Sequence, residues 1–381
     1  MDFSLTAEQQ SLRLAMAAAG QRLNAGFLER ERAGGFHPEA WRLAAEAGVH
    51  GLPLPREHGG GGADLLTTAL ALEAFSAACQ DEGLTFSVCA HMQSCAVPIW
   101  LHGSEEQKRR FLPGLASGEL IGGNGTTEPG SGSDAFSMQA TAVREGDEYV
   151  LRGTKIYVTN GPVADVLLIY ALTSPEDRQF GGISAFLVEK GTFGLHTGPD
   201  FEKVGLRTAV WCEVVLDGCR VAVSNRLGEE GAGAAMFTES MEWERLLVSV
   251  VALGRMEHTL DRSLNQARRR RQFGKPIGKF QAVANKLVQM KADLETSRLL
   301  LYKAAWLRDQ GERALLEISL AKYLVNESRI RAAVDAIQIH GASGCTTELQ
   351  IERELRNALP LSIASGTPEI QKMIVARMLG L

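Results

Sequence analysis

The six cysteines of this 381-residue chain, Cys79, Cys89, Cys95, Cys212, Cys219 and Cys345, include no CxxC pair and no spacing that closes around a metal. The absence argues against zinc and redox-dithiol chemistry and leaves buried free thiols as the expectation, with no metal ligand assigned. There is no excess of positive charge either. Lys and Arg number 40 against 45 Asp and Glu, a net charge of −5, so no basic surface is expected to hold a nucleic acid. The first residues, Met1-Asp-Phe-Ser-Leu-Thr-Ala-Glu8, lack the basic-then-apolar order of an export signal, and no apolar run is expected to approach a membrane span. A cytoplasmic chain without membrane contact is the expectation. The glycine run Gly59 to Gly62 has no Lys-Ser/Thr after it and no clear strand before it, which removes a phosphate loop and leaves an interhelical connection. No repeat or low-complexity segment interrupts the chain.

What is present is an ordinary globular composition, 45% hydrophobic and 22% charged, on a chain long enough for two or three packed domains. From Thr6 to about Gly118 apolar residues recur at helical spacing, as in Leu65, Ala69, Leu72 and Phe75. Short β-rich runs then take over: Gln139 to Val143, Tyr149 to Leu151, Val166 to Leu172, Ile183 to Val188 and Cys212 to Leu216. The turn words Glu145-Gly-Asp147 and Asp217-Gly218 between them favour a mainly antiparallel sheet over alternating βαβ units. The helical period returns over Met236 to Ala267, Ala282 to Gln310, Glu312 to Ile339 and from Glu369, four helices that suggest a bundle. The pattern predicts an α+β chain with an N-terminal helical domain over 1–119, a central β domain over 120–230 and a C-terminal helical bundle over 231–381.

The most informative word is Thr127-Glu-Pro-Gly-Ser-Gly-Ser-Asp134. Its hydroxyls and carboxylates can hydrogen-bond a flat polar ligand, while Pro129, Gly130 and Gly132 set a turn and let the backbone approach. Composition alone allows an ordinary polar loop. The octet resembles the flavin-binding signature of the acyl-CoA dehydrogenase family, and Gln338-Ile-His-Gly-Ala-Ser-Gly344 is similar to a second family word at the expected distance. The resemblance covers essentially the whole chain and implies the helical, β, helical fold and FAD as cofactor. By that resemblance Asn124, Thr126, Thr127 and Ser133 run along the flavin, Ser133 also near substrate, with Tyr157 and Thr159 beside the ring. From the pattern alone Tyr157 is equally a cross-strand packing aromatic. Arg268 to Arg271 reads without context as a solvated helix end. In the family an arginine shortly before Phe-Gly binds the dinucleotide pyrophosphate, often from a neighbouring subunit, and Arg270 with Phe273 matches it. Gln281, Gln338, Gly341, Thr367 and Glu369 match further cofactor contacts, and a homodimer or homotetramer is implied. Ala342 departs from the pattern, standing where relatives commonly carry the second glycine of His-Gly-Gly.

The family reaction removes an α proton from an acyl thioester while the β carbon passes hydride to the flavin, and many relatives carry the base in a Tyr-Glu-Gly-Thr segment. Here the segment reads Ala364-Ser-Gly-Thr367, so Ser365 stands at the base position and is no carboxylate. Other members, isovaleryl-CoA dehydrogenase among them, place the base where this chain has Glu244, followed by Arg245 and an apolar helix. Entry into such a helix would raise a carboxylate's pKa, although a solvated first-turn Glu is the plainer reading, and Glu242 is a weaker candidate. Ala364 reshapes the substrate pocket, with Arg245 and Ser365 also beside substrate. Together with Trp243, Thr367 and Phe86 to His91 it resembles the biosynthetic branch that oxidises acids tethered to carrier proteins, prolyl thioesters in particular. His91 is either a substrate contact or a core histidine. A short or branched acyl-CoA dehydrogenase, a flavin oxidase or monooxygenase and a non-catalytic flavoprotein remain open on the same fold, with a partner protein or oxygen as electron acceptor.

Overall fold

The computed structural model describes residues 4–177 and 181–381. Helices α1 (Ala7–Arg22), α2 (Phe27–Ala33), α3 (Pro38–Glu46), α4 (Leu65–Ala78), α5 (Glu82–His91), α6 (Val97–His102) and α7 (Glu105–Ser117) form the first layer. Their starts are written locally. Thr6 and Ser104 close capping boxes with Gln9 and Gln107, while the Asp64 and Asp81 side chains accept from the backbone N–H of Thr67 and Leu84. The continuous helical stretch Glu82–His102 corrects one expectation, because its 21 residues are apolar and long enough to cross a membrane. Nearly all of it is buried within the chain, so its hydrophobicity serves the core. The cysteines also divide: Cys79, Cys89, Cys95, Cys212 and Cys219 are buried free thiols, whereas Cys345 is exposed just past the Gly341–Gly344 turn.

Eight strands follow: β1 (Gly122–Gly125), β2 (Thr141–Glu145), β3 (Glu148–Thr159), β4 (Val166–Leu172), β5 (Ile183–Glu189), β6 (Leu195–Thr197), β7 (Trp211–Ala222) and β8 (Arg226–Leu227). The order β6-β7-β3-β2-β4-β5-β8 is mostly antiparallel, with β1 added parallel to β4. Gly146 at φ +63 turns the β2–β3 hairpin as expected. Asp217-Gly218 does not separate two strands. It lies inside β7, where Leu151 pairs Cys219 and Arg152 pairs Asp217, so Gly218 at φ +66 is the extra residue of a bulge. All seven residues of β4 are buried because both faces are covered. Val166, Leu168, Tyr170 and Leu172 join the core shared with the helices, and Leu167, Ile169 and Ala171 join the sheet's own core. Leu168→Ala should therefore cost roughly 2–5 kcal/mol.

The C-terminal layer is α8 (Gly233–Arg269), α9 (Gln281–Asp309), α10 (Leu315–His340), α11 (Glu352–Ile363) and α12 (Pro368–Met378), with a hairpin of β9 (Arg271–Gln272) and β10 (Lys275–Pro276) after α8. Helix α11 is additional to the four that the period predicts; it is short and carries Pro360 within its last turn. Buried charges tie this layer to the first. Arg255 of α8 pairs with Glu354 of α11 and donates to the Cys79 carbonyl at 2.8 Å, and Arg298 of α9 pairs with Glu73 of α4 at 2.7 Å. Removing one partner would leave a buried charge uncompensated.

Candidate active site and cofactor cleft

Between α5 and α6 the helix widens into a π turn, Met92–Ala96, whose wider spacing turns Gln93 and Ser94 into a cavity of about 720 Å³. Asn124 on β1 donates to the Ser94 carbonyl at 3.0 Å and accepts from the Thr126 hydroxyl at 2.7 Å, so the strand end is locked to the π turn. The next loop closes through two backbone hydrogen bonds exchanged by Glu128 and Ser131, at 2.9 and 3.1 Å. The octet's carboxylates do not act alike. Glu128 turns inward and accepts from the Gln139 and Ala140 amides at 2.6 and 2.9 Å and from the buried Lys155 ammonium at 2.7 Å. That leaves Thr127, Gly132 and Ser133 on the cavity wall.

Across from the loop, β3 bulges between Lys155 and Val158. Tyr157 sits in that bulge at φ +59, a rare conformation for a bulky residue, and the displaced ring stands out 60% exposed, 5.6 Å from Phe201. The bulge explains why Tyr157 faces the cavity and is not enclosed among cross-strand neighbours. Thr159 and Trp211, paired in register, complete this wall.

Glu244 enters from α8. It is buried, not solvated, because by the fourth turn of α8 the helix has passed into the core that Leu246, Leu247, Val250 and Val251 share. The Ser365 hydroxyl donates to its Oε2 at 3.1 Å, and Ser94 of the π turn lines the same cavity. Burial pushes the Glu244 carboxyl above its ordinary pKa, while the Ser365 hydroxyl and the charges of Arg245 and Lys322 pull it back. Ser365 stands at φ +57 in the turn that links α11 to α12, and Ala364, Ser365 and Thr367 all line the cavity. The Thr367 hydroxyl also caps α12, accepting from the Ile370 N–H at 3.4 Å. Thus Glu244, the candidate base, meets Ser365, which stands at the base position that the family resemblance implies.

His91 does not reach the cavity. Its Nδ1 accepts from the Gly122 N–H and its other ring nitrogen lies 2.9 Å from the Leu115 carbonyl, and burial lowers its pKa to about 4. With one acceptor and one donor nitrogen used it is a neutral core histidine, and the substrate-contact alternative falls.

The remaining candidates lie elsewhere. Arg270 ends α8, and Phe273 and Gly274, at φ +49 and +76, form the turn of the β9–β10 hairpin. Arg270 and Phe273 share a second cleft of about 580 Å³ with Gln338, Gly341 and Ala342. Among the described residues no acidic side chain lies within ion-pair distance of Arg270, and Phe273 is 92% exposed. Gln281 at the start of α9 and Glu369 in the first turn of α12 are exposed and on neither wall. The sequence reading missed Gln93, Ser94, Trp211 and Lys322. Lys322 left a signal, a lysine on the buried stripe of α10 beside Ile318, Ala321 and Val325; the π turn left none, because nothing in an apolar helix marks an inserted residue.

The donor set fits a flat, polar, phosphate-bearing group. Among the described residues the Gln93 Oε1 and the Trp211 Nε1 are buried on the cavity wall without a partner and Arg270 forms no ion pair, which suits an anion, while hydroxyls of Thr126, Thr127, Ser133 and Thr159 stand among apolar walls. The N-terminal, middle and C-terminal domain models of acyl-CoA dehydrogenase match residues 6–119, 123–219 and 231–380. The chain belongs to the acyl-CoA dehydrogenase family. It is 44% identical over 343 residues, 90% of the chain and 89% of the relative, to an L-prolyl-[peptidyl-carrier protein] dehydrogenase of Serratia sp.. The solved structure of PigA with FAD and proline matches with a TM-score of 0.98 at 42% identity over all of both chains. That of the prolyl acyl carrier protein oxidase AnaB matches with a TM-score of 0.97 at 43% identity over 99% of this chain and 100% of the other. In this chain the carboxylate that meets the Ser365 hydroxyl comes from α8.

Proposed function

We propose that this chain binds FAD and uses it to dehydrogenate a prolyl group held as a thioester on a carrier protein, with Glu244 as the base. The observation that carries the reading is the 3.1 Å hydrogen bond from Ser365 to the buried Glu244 on the cavity wall. Both positions that serve as base in the family converge on one point, and only one of them is a carboxylate. The similarity to a prolyl-carrier-protein dehydrogenase and to PigA with proline supports the substrate class.

An α C–H beside a thioester is a weak acid, so its removal needs a placed, poorly solvated base and a donor for the oxygen that gains charge. Glu244 supplies the first. Burial raises its proton affinity, and the Ser365 hydroxyl bonds the carboxylate and orients it. When bound, FAD accepts the hydride that leaves the β carbon. Thr126, Thr127, Ser133, Tyr157 and Thr159 orient that ring from the main cavity; Arg270 with Phe273, Gln338 and Gly341 holds a dinucleotide phosphate, which we assign to the cofactor of a neighbouring subunit in a homodimer or homotetramer. Thr367 completes the proposed cofactor contacts within the main cavity, Gln281 and Glu369, exposed outside both clefts, are assigned to the cofactor of a neighbouring subunit, and Arg245, Ala364 and Ser365 with Ser133 border the thioester. Ala364 leaves room that a tyrosine would fill.

Anaerobic mixing with prolyl-carrier, hydroxymalonyl-carrier and short branched acyl-CoA thioesters tests the reading, with flavin absorbance as the signal. Bleaching by the prolyl thioester is expected; bleaching by acyl-CoA alone would show a different substrate. AnaB's description as an oxidase favours a second reading of the acceptor, oxygen in place of a partner protein. Reduced flavin that persists in air would exclude it.

A further inference from the structure

The turn after α11 is held by its carbonyls. Asn326 donates to the Ser362 carbonyl at 3.4 Å, Lys322 to that of Ala364 at 2.7 Å, Arg245 to that of Ser365 at 3.3 Å and Gln371 to that of Gly366 at 3.0 Å. These donors come from α10, α8 and α12. Asn326, Lys322 and Gln371 are at least nine-tenths buried. The amides of Ser365, Gly366 and Thr367, by contrast, donate to no protein acceptor among the described residues, and all three residues line the cavity.

Peptide planarity converts this into direction. In a trans peptide the C=O and N–H point opposite ways. Lys322 is absent from the cavity wall and grips the Ala364 oxygen, so the Ser365 N–H of the same peptide points away from Lys322. Ser365 takes up φ +57 to keep that arrangement, a conformation a non-glycine residue holds only when its surroundings insist. A buried ammonium is costly, and Lys322 forms no ion pair among the described residues. Burial and the neighbouring Arg245 pull its pKa down to about 7, against the pull of Glu244.

We propose that Lys322 is a positioning residue for α-proton removal: bound to the Ala364 carbonyl, its ammonium fixes and polarises the Ala364–Ser365 peptide so that the Ser365 N–H meets the thioester oxygen. Hydrogen bonds in a chain strengthen one another, and a charged donor on the carbonyl makes the opposite N–H a better donor. The inference rests on the thioester reading above. Lys322 touches neither substrate nor flavin and acts through one peptide unit.

The test compares wild type with Lys322→Met and Lys322→Gln, each loaded with FAD. Infrared difference spectra of a bound pyrrole-2-carbonyl carrier thioester, 13C-labelled at the carbonyl, report the oxygen's polarisation without turnover. In wild type the stretch should fall well below its solution frequency; in Lys322→Met at least half of that displacement should be lost, with Lys322→Gln between. The limiting rate of anaerobic flavin reduction should fall about 10- to 100-fold in Lys322→Met while the Kd for prolyl carrier changes less than about threefold. An unchanged carbonyl stretch overturns the proposal, as does a rate loss matched by an equal rise in Kd. If Lys322→Met does not hold FAD, Lys322→Gln decides alone: a wild-type spectrum there overturns the proposal and a reduced displacement supports it. A wild-type enzyme that no thioester bleaches sinks the functional reading itself, an outcome distinct from bleaching with unchanged variants.

Discussion

The two clefts differ in how much one chain supplies. The main cavity is finished from within: Glu244 is buried, bonded by the Ser365 hydroxyl, and faces a turn whose carbonyls are held from three helices. The second cleft is unfinished. Arg270 has no anionic partner among the described residues, and Phe273 projects from its hairpin 92% exposed. A lone exposed guanidinium gains little from its own chain. The contrast separates chemistry, which demands dry and rigid surroundings, from cofactor retention, which can be completed by assembly.

The sharpest way to break the comparison is Glu244→Gln. Flavin reduction by the prolyl thioester should fall by at least about 10³-fold, within the range for loss of a general base, with FAD content unchanged. Stopped-flow bleaching beside the bound-flavin spectrum checks it. The same rate in the variant would move the base elsewhere. Because Ser365 and Glu244 are in hydrogen-bond contact, the double variant Glu244→Ser with Ser365→Glu should recover part of the lost rate.

Much of this main site was legible before its geometry. The octet at Thr127 and the word at Gln338 carried the family, and Ser365, which is no carboxylate, directed the choice of a candidate base to Glu244. What stayed hidden was relational. Glu128 belongs to the flavin word, yet Lys155, 27 residues on, turns it inward. Asp217-Gly218 carries a turn's composition, but continued pairing of β7 with β3 makes it a bulge. The π turn changes the register of an apolar helix without changing its composition, so Gln93 and Ser94 had no signature. The β-rich runs marked five strands of the main sheet and missed β1, β6 and β8 and most of β3, while β4 with its buried faces was read at its true ends, because a continuous apolar run has only one way to be covered.

For the second cleft the corresponding substitution is Arg270→Ala. FAD affinity should weaken by about tenfold to a hundredfold through loss of a charge-assisted phosphate contact. At saturating FAD the limiting bleaching rate should stay within about threefold of wild type. Equilibrium titration of the apoprotein separates the two quantities, and a rate that remains low at saturation would join the clefts functionally.

A smaller effect follows from pH. Burial raises the pKa of Glu244, so the base is ionised only above a value higher than the ordinary carboxylate range, and the bleaching rate should be lost as pH falls through it. The Ser365 hydroxyl works against that rise by bonding the charged form. Ser365→Ala removes the bond and should move the acid limb to higher pH by about one unit, the equivalent of roughly 1.4 kcal/mol. A limb that stays in place, or moves down, would show that the hydroxyl does not act on the ionised carboxylate. The same sign governs stability. The native state holds the Glu244 proton more tightly than the unfolded chain, so this group's contribution is most favourable at acid pH and declines as pH rises through its folded pKa.

The smallest effect on the isolated chain belongs to Phe273→Ala. At 92% exposure, with its ring in an edge-on contact with Phe280 6.0 Å away, the side chain removes little apolar surface from water within one protomer. The change in folding free energy should stay within about 0.5 kcal/mol, measured by denaturant titration under monomeric conditions. Assembly should respond in the opposite manner. A large ring at an exposed hairpin turn beside the unpaired Arg270 gains stabilisation only when another surface covers it. Sedimentation across a concentration series should therefore show Phe273→Ala dissociating at higher protein concentration than wild type, with FAD lost in parallel. Equal dissociation would remove Phe273 from the interface and leave Arg270 to complete the second cleft within its own chain.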